Sequence, residues 1–419
     1  MKEVIIIEGG HKLNGNIRIS GSKNATVALI PATILSNGIV TIKDVPNISD
    51  VKSLIKLLNS LNVNVTIESN DHLIIDPTEM RNIILDTDEV SKLRASYYFM
   101  GALLGKYKKV TMKMPGGCYL GPRPIDLHLK GFEALGAKIE DKDGYINIEA
   151  EQLIGTKIYL DFASVGATIN ILMASVYAKG RTVIENAAKE PEIIDVCSML
   201  NKMGAKIHGA GTTEIIIDGV DDLNGCTHEI IPDRIEAGTY LVMAAACAEK
   251  MVVENVIPQH LESLIAKLKE MNVNIQVDID KVIVKGGNIL KGCNVKTNTY
   301  PGFATDLQQP LTTLMAITNG ESTITDTIYP ARFKNCVELN RMGAKIEVFD
   351  GKSRITGVKS LKGETVVATD LRCGAGLVIA GLLASGKTRI LDVYHIDRGY
   401  DDLDGKLIKL GAKIYREAI

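Results

Sequence analysis

Between Pro115 and Pro124 the chain reads Pro-Gly-Gly-Cys-Tyr-Leu-Gly-Pro-Arg-Pro, which sets a thiol, Cys118, five residues ahead of a guanidinium, Arg123. A thiol has a reference pKa of about 8.5, lowered beside cations or helix N-termini, so it can give up a proton near neutral pH. Gly116, Gly117 and Gly121 admit φ > 0, while the prolines restrict φ. Such a segment suits neither a helix interior nor a central strand, and it reads as a shaped loop that presents Cys118. The plainer reading is a turn whose cysteine is buried and inert, as most free cysteines are.

Other polar residues gather at two kinds of place. One is the start of strongly apolar stretches: Ser22-Lys23-Asn24, Ser91-Lys92-Leu93-Arg94, Ser164-Val165-Gly166, Asp233-Arg234, Thr305-Asp306 and Thr369-Asp370-Leu371-Arg372. The other is a set of loops that carry Arg123, Arg332 and Arg398. If the apolar stretches are helices, Ser22, Ser164 and Thr369 suit N-caps. Lysine and arginine in a first helical turn are disfavoured unless something negative sits there. Converging helix N-termini with Lys23, Arg94, Arg123, Arg332, Arg372 and Arg398 would form an anion site for phosphate or carboxylate.

The bulk numbers limit the partners. At 419 residues two domains are the natural expectation, and 46% hydrophobic with 23% charged residues marks a globular chain. A net charge of −2 gives no global reason to bind nucleic acid or an anionic membrane. The seven cysteines form no C-x-x-C pair of the metal-binding kind, and there are only seven histidines. No apolar run is long enough for a membrane span, and Met1-Lys2-Glu3 opens no signal-peptide core, so a reducing cytoplasm is the expected location. Ala384-Ser385-Gly386-Lys387-Thr388 lacks the first glycine of a phosphate loop, and Gly374-Ala375-Gly376 lacks the strand context of a dinucleotide fingerprint.

A repeat organises the whole. Leu61-Asn-Val-Asn-Val65 recurs as Leu135-Gly-Ala-Lys-Ile139, Met203-Gly-Ala-Lys-Ile207, Met271-Asn-Val-Asn-Ile275, Met342-Gly-Ala-Lys-Ile346 and Leu410-Gly-Ala-Lys-Ile414, in steps of 74, 68, 68, 71 and 68. Each unit reads β-α-β-α-β-β: a strand, an apolar helix such as 237–248, a β-branched strand such as 182–185, an amphipathic helix and a hairpin. Val51, Leu54, Ile55, Leu57, Leu58 and Leu61 give the amphipathic stripe of the first unit. Helices apolar all round should be buried, with sheets outside them. The sixth unit ends at Ile419 without its last strand, which Glu3-Val-Ile-Ile-Ile7 would supply. The expected domains are therefore residues 22–229, and residues 1–21 with 230–419.

The repeat absorbs Cys197, Cys226, Cys247, Cys293 and Cys336 as packing residues. It does not absorb Cys118. The third strand lies 19, 19 and 18 residues before the recurring string in units one, three and five, but 23 before it in unit two. The extra residues are the Gly-Gly-Cys loop, and an insertion in a regular array usually maps to the binding face.

With these motifs in place the chain resembles the UDP-N-acetylglucosamine 1-carboxyvinyltransferases, of the enolpyruvyl transferase family, over its full length. Gly116 to Leu129 is the most specific stretch; Gly21-Ser22-Lys23-Asn24-Ala25 and Thr305-Asp306-Leu307-Gln308 agree with it. The resemblance implies two inside-out α/β barrels, each of three units with buried helices and outer sheets. It implies transfer of the enolpyruvyl group of phosphoenolpyruvate to the 3-hydroxyl of UDP-N-acetylglucosamine, the first committed step of peptidoglycan synthesis. Lys23, Asn24, Arg123 and Arg398 would then contact phosphoenolpyruvate. Arg94, Arg123, Pro124, Ile125, Asp126, Leu127, Asp306 and Ile328 would contact the UDP-sugar, with Ser164, Val165 and Gly166 near its diphosphate. Cys118 would donate a proton, form a covalent adduct and take fosfomycin; Asp306 would be the base. Arg332, Asp370 and Arg372 carry over as further site residues. Two alternatives stand beside this: a 5-enolpyruvylshikimate 3-phosphate synthase, which lacks the cysteine loop, and an idle paralogue that only binds a nucleotide sugar.

Overall fold

The computed structural model describes residues 3–69, 71–114 and 125–419. Cys118, Arg123 and Pro124 lie outside these residues. The chain forms two compact units, one of Met1–Ser20 with Pro232–Ile419 and one of Gly21–Ile231.

In the unit of residues 21–231, the helices Lys23–Ala32, Tyr98–Tyr107 and Val165–Ser175 are apolar on every side and almost wholly buried. Burial on all sides requires close approach. A Cβ on Gly101 would sit 2.3 Å from the backbone oxygen of Asn170, and the Gly101 N–H instead donates to Asn170 Oδ1 at 2.8 Å. The helices Ser49–Ser60, Asp126–Ala134 and Pro191–Lys202 are the amphipathic set. Along Ser49–Ser60, Val51, Leu54, Leu57 and Leu58 face the core. The other unit repeats this pattern with the buried helices Arg234–Cys247, Gln308–Met315 and Leu371–Leu383.

The recurring five-residue string turns each amphipathic helix into a hairpin, for a local reason. Gly136, Gly204, Gly343 and Gly411 have φ between +97° and +112°, and Asn62 and Asn272 take +61° and +70° where the string carries asparagine instead. Glycine and asparagine are the residues that enter the left-handed region at low cost, so both spellings end a helix alike.

Among the described residues six sheets result, five of four strands and one of three. In each four-stranded sheet a short first strand pairs parallel with an inner strand, as Lys157–Tyr159 does with Arg181–Glu185, and the hairpin adds antiparallel. In the three-stranded sheet the first strand shrinks to one bridge, Leu85 to Met112. The first strands of units one and four are exchanged: Leu13–Arg18 pairs with Ala248–Glu254, and Thr227–Glu229 with Val40–Lys43. Glu3–Glu8 lies between Lys387–Leu391 and Lys413–Ala418, antiparallel to both.

The sheets correct the expected barrels. A barrel needs its last strand hydrogen-bonded to its first. Among the described residues every sheet is open, ending on an outer hairpin strand such as the largely exposed Asn64–Ser69, and none closes. The fold of the described residues is α/β, with five mixed sheets and one whose three strands are antiparallel. Short first strands and solvated hairpin edges leave no continuous ladder from one repeat to the next, and the apolar helices supply the core between them.

Candidate active site

In the unit of residues 21–231, Lys23 opens a buried helix whose N-cap is Ser22; the Ser22 hydroxyl accepts the Ala25 N–H at 3.2 Å. The Lys23 ammonium lies 3.4 Å from Asp50 Oδ2, with side-chain exposures of 16% and 5%. A lysine in a first turn wants a negative partner, and the fold supplies Asp50. Asn24 follows on the same turn.

A second group gathers around Arg94, at the start of the 3-10 helix Arg94–Tyr97. Its guanidinium lies over the Tyr97 ring, 5.8 Å from the centroid, and Tyr97 meets His128 edge-on at 5.0 Å. His128 Nδ1 is 2.9 Å from Asn170 Nδ2, and burial, aided by the Arg94 charge, pushes its pKa down to about 3. The imidazole is therefore neutral at physiological pH. Ser164 caps the helix Val165–Ser175, accepting from Ala167 N–H at 3.3 Å. A Cβ on Gly166 would come within 2.9 Å of the Tyr97 hydroxyl and 3.0 Å of the His128 ring, so that position stays a glycine. Asp126 and Leu127 begin the helix that carries His128, with Ile125 at its cap. Arg94, through Tyr97, and Gly166 thus meet at His128, on the helix that Asp126 and Leu127 begin, whereas Lys23 is engaged by Asp50.

In the other unit an ion cluster surrounds Asp306, in the 3-10 helix Thr305–Leu307. Its Oδ1 accepts from Arg332 at 2.7 Å and its Oδ2 from Arg372 at 3.0 Å. Both arginine side chains are buried, at 4% and 2% exposure, while the Asp306 side chain keeps 24%. Burial works against the charged carboxylate, but Arg372 and Arg332 outweigh it and hold Asp306 well below the usual carboxylate range. Asp370, not Thr369, caps the helix Leu371–Leu383: its Oδ1 accepts from the N–H groups of Arg372 and Cys373 at 2.9 and 3.0 Å. An aspartate makes two cap bonds and adds negative charge beside the helix dipole, which a threonine hydroxyl cannot. The Arg372 guanidinium also lies over the Tyr400 ring, 5.5 Å from its centroid.

Ile328 is held through its backbone, whose N–H donates to Asp326 Oδ1 at 3.0 Å. Arg398 ends the 3-10 helix Val393–Arg398, and the adjoining Asp397 is gripped by both ends of the Arg416 guanidinium at 2.7 and 3.0 Å. Asp50, Tyr97, His128, Asp326 and Arg416 were not singled out in the sequence. His128 lay inside the most specific motif and could have been; Asp50 and Arg416 act through partners distant in sequence, and Tyr97 and Asp326 join neighbours to distant segments, so none leaves a clear local signal. Among the described residues no group of histidine, cysteine, aspartate and glutamate could hold a metal, and no helix is long and apolar enough to cross a membrane.

Chemically, the second cluster presents an ionised carboxylate with two fixed cations, suited to accepting a hydroxyl hydrogen bond. The first unit offers a lysine, an arginine and two helix N-termini, suited to anions.

Comparison with known proteins gives these groups a context. The family model of EPSP synthase (3-phosphoshikimate 1-carboxyvinyltransferase) matches residues 7–407. UDP-N-acetylglucosamine 1-carboxyvinyltransferase 2 of Bacillus subtilis is 56% identical over 416 residues, covering 99% of this chain and 97% of the relative. The Listeria monocytogenes protein of the same name is 54% identical, covering 100% and 99%. Among solved structures, the enolpyruvyl transferase NikO from Streptomyces tendae superposes with a TM-score of 0.91 at 24% identity, covering 100% of this chain and 99% of that one. EPSP synthase from Acinetobacter baumannii does so at 0.77 and 19%, covering 100% of both. These two likenesses show the fold.

Proposed function

The chain belongs to the UDP-N-acetylglucosamine 1-carboxyvinyltransferases, and from that premise we propose how its residues divide the reaction. The protein transfers the enolpyruvyl group of phosphoenolpyruvate to the 3-hydroxyl of UDP-N-acetylglucosamine and releases phosphate, at the entry to peptidoglycan synthesis. The sister activity on a shikimate phosphate is disfavoured by the 56% identity to UDP-sugar enzymes against 19% to an EPSP synthase structure.

The division of roles rests on the Asp306 cluster. As the 3-hydroxyl oxygen bonds to C2 of phosphoenolpyruvate, its proton becomes strongly acidic, so a carboxylate of low pKa suffices to take it late in the step. Arg332 and Arg372 hold that carboxylate ionised and aimed. Asp370 orients Arg372 from behind through the helix cap. At the same time C3 gains a proton from Cys118, giving a tetrahedral ketal. The ketal then loses phosphate from C2 and a proton from C3, which restores the double bond and returns the proton to the thiolate, while the proton taken by Asp306 leaves to the phosphate or solvent. Lys23, Asn24, Arg123 and Arg398 bind the phosphate and carboxylate of phosphoenolpyruvate, and the cations stabilise phosphate as it leaves. Arg94, Arg123, Pro124, Ile125, Asp126 and Leu127 grip the UDP-sugar with Ile328, and Ser164, Val165 and Gly166 lie near its diphosphate. Cys118 is also the site for fosfomycin and for a covalent phosphoenolpyruvate adduct.

We place the reaction in the cytoplasm. The six described cysteines are all free, as a reducing compartment keeps them. The test of the whole reading is phosphate release from phosphoenolpyruvate. Release that depends on UDP-N-acetylglucosamine is expected; release with shikimate 3-phosphate alone, or none with either, would overturn it.

A further inference from the structure

The residue that follows the third element has a common form in four of the six units. It is Asp44, Asn186, Asn255 and Asp392 in units one, three, four and six, and each takes the left-handed conformation with φ from +54° to +60°. Asn186 and Asn255 use their side-chain N–H to hold one carbonyl at the end of the first strand, Leu160 at 2.8 Å and Ile19 at 2.8 Å. That neighbour is apolar and buried in four units: Ile19, Leu160, Ile230 and Ala368.

Unit five breaks both habits. Asp326 occupies this position without a positive φ, and its neighbour is the fully buried Thr297. Asp326 is 1% exposed and accepts four hydrogen bonds from three segments. Oδ1 takes the Thr297 hydroxyl at 2.8 Å and the N–H groups of Ile328 and Tyr329 at 3.0 and 2.9 Å. Oδ2 takes the Thr305 hydroxyl at 2.7 Å. With its proton committed to Asp326, the Thr305 oxygen accepts from Arg332 at 3.2 Å, and the same Arg332 nitrogen donates to Asp306 at 2.7 Å.

Burying a carboxylate costs several kcal/mol unless hydrogen bonds replace its water, and an apolar neighbour would serve packing alone equally well, as it does in four other units. Here the carboxylate is answered by neutral donors, and three of the four, Thr305, Ile328 and Tyr329, belong to the segments that bear Asp306 and Ile328. We propose that Asp326 is a positioning residue for the UDP-sugar half of the reaction. It joins the Thr305–Asp306 turn to the Ile328–Arg332 loop, and through Thr305 it sets where Arg332 meets the Asp306 carboxylate. This rests on the reading that Asp306 and Ile328 face the sugar.

The test compares steady-state kinetics of Asp326→Asn, Thr305→Val, Thr305→Ser and Asp306→Asn with the parent enzyme, varying each substrate in turn. Asn at 326 keeps one acceptor oxygen but turns an amide donor toward Thr305, and Val at 305 keeps the volume but cuts the relay to Arg332. Both should raise KM for UDP-N-acetylglucosamine about five- to fifty-fold with KM for phosphoenolpyruvate within about two-fold. Thr305→Ser retains the hydroxyl and should stay near the parent. Should Asp326→Asn fail to fold, the two Thr305 variants decide. Parent-like UDP-sugar kinetics in Thr305→Val, or an equal rise in both KM values, would overturn the inference. If Asp306→Asn itself leaves UDP-sugar KM and turnover unchanged, the reading of Asp306 fails instead.

Discussion

Asp306→Asn removes one charge from the centre of the ion cluster and keeps its shape. Arg332 and Arg372, at 4% and 2% exposure, would then face an amide across 2.7 and 3.0 Å. Removing one partner of a buried ion pair costs about 3–5 kcal/mol, because the other charge stays behind without compensation. Asp306 keeps 24% exposure, so solvent screening places the cost at the lower end, about 3 kcal/mol. In a unit of roughly 200 residues each kcal/mol moves the thermal midpoint by about 2–4 °C, so a fall of about 6–12 °C is expected. The pH dependence follows from the depressed folded pKa of Asp306. Its stabilising contribution is complete above the unfolded value of about 3.9 and is lost as pH falls from there through the folded value. Parent and variant should therefore differ by a constant amount from pH 8 to about pH 5, and the gap should narrow below about pH 4. Denaturant titrations followed by circular dichroism at several pH values measure it. Equal midpoints at pH 7, or a gap that widens in acid, would refute the ion-cluster argument.

Cys118→Ala should nearly abolish phosphate release and block fosfomycin labelling while the circular dichroism spectrum stays unchanged; turnover near the parent rate would remove the thiol from the mechanism. Gly101→Val would drive a Cβ into the Asn170 carbonyl at 2.3 Å, so stability should drop by about 2 kcal/mol or more, read as a lower denaturation midpoint. Glu236 is buried with its Oε1 2.5 Å from Lys406, and burial, opposed by that lysine, pushes its pKa up to about 7. A raised folded pKa gives stability that is complete below the unfolded value of about 4.3 and lost as pH rises through the folded one. Glu236→Gln should accordingly gain on the parent by about 1–3 kcal/mol between pH 5 and pH 8, and a flat difference would mean that Lys406 cancels the effect of burial.

What the sequence determined by itself is what short-range chemistry governs. The period of apolar residues set the buried and amphipathic helices, and a glycine or asparagine in each five-residue string set where a helix turns into a hairpin, because φ > 0 is a property of one residue. The extra residues around Cys118 stood out because the repeat is regular. The residue types at helix starts, Lys23, Arg94, Asp306 and Arg372 among them, were legible for the same reason: a first turn is a local environment. The tertiary structure decided everything that depends on a partner far along the chain. Whether sheets close is a matter of hydrogen bonds between repeats, and the solvated hairpin edges leave them open. Asp370 rather than Thr369 makes the cap, and its second oxygen is held by Gln309, 61 residues away. Asp50 neutralises Lys23, two arginines hold Asp306 ionised, and Asp326 ties three segments together. Charge and polarity are written in the sequence, but which charge answers which is settled only when distant elements are brought within about 3 Å of one another.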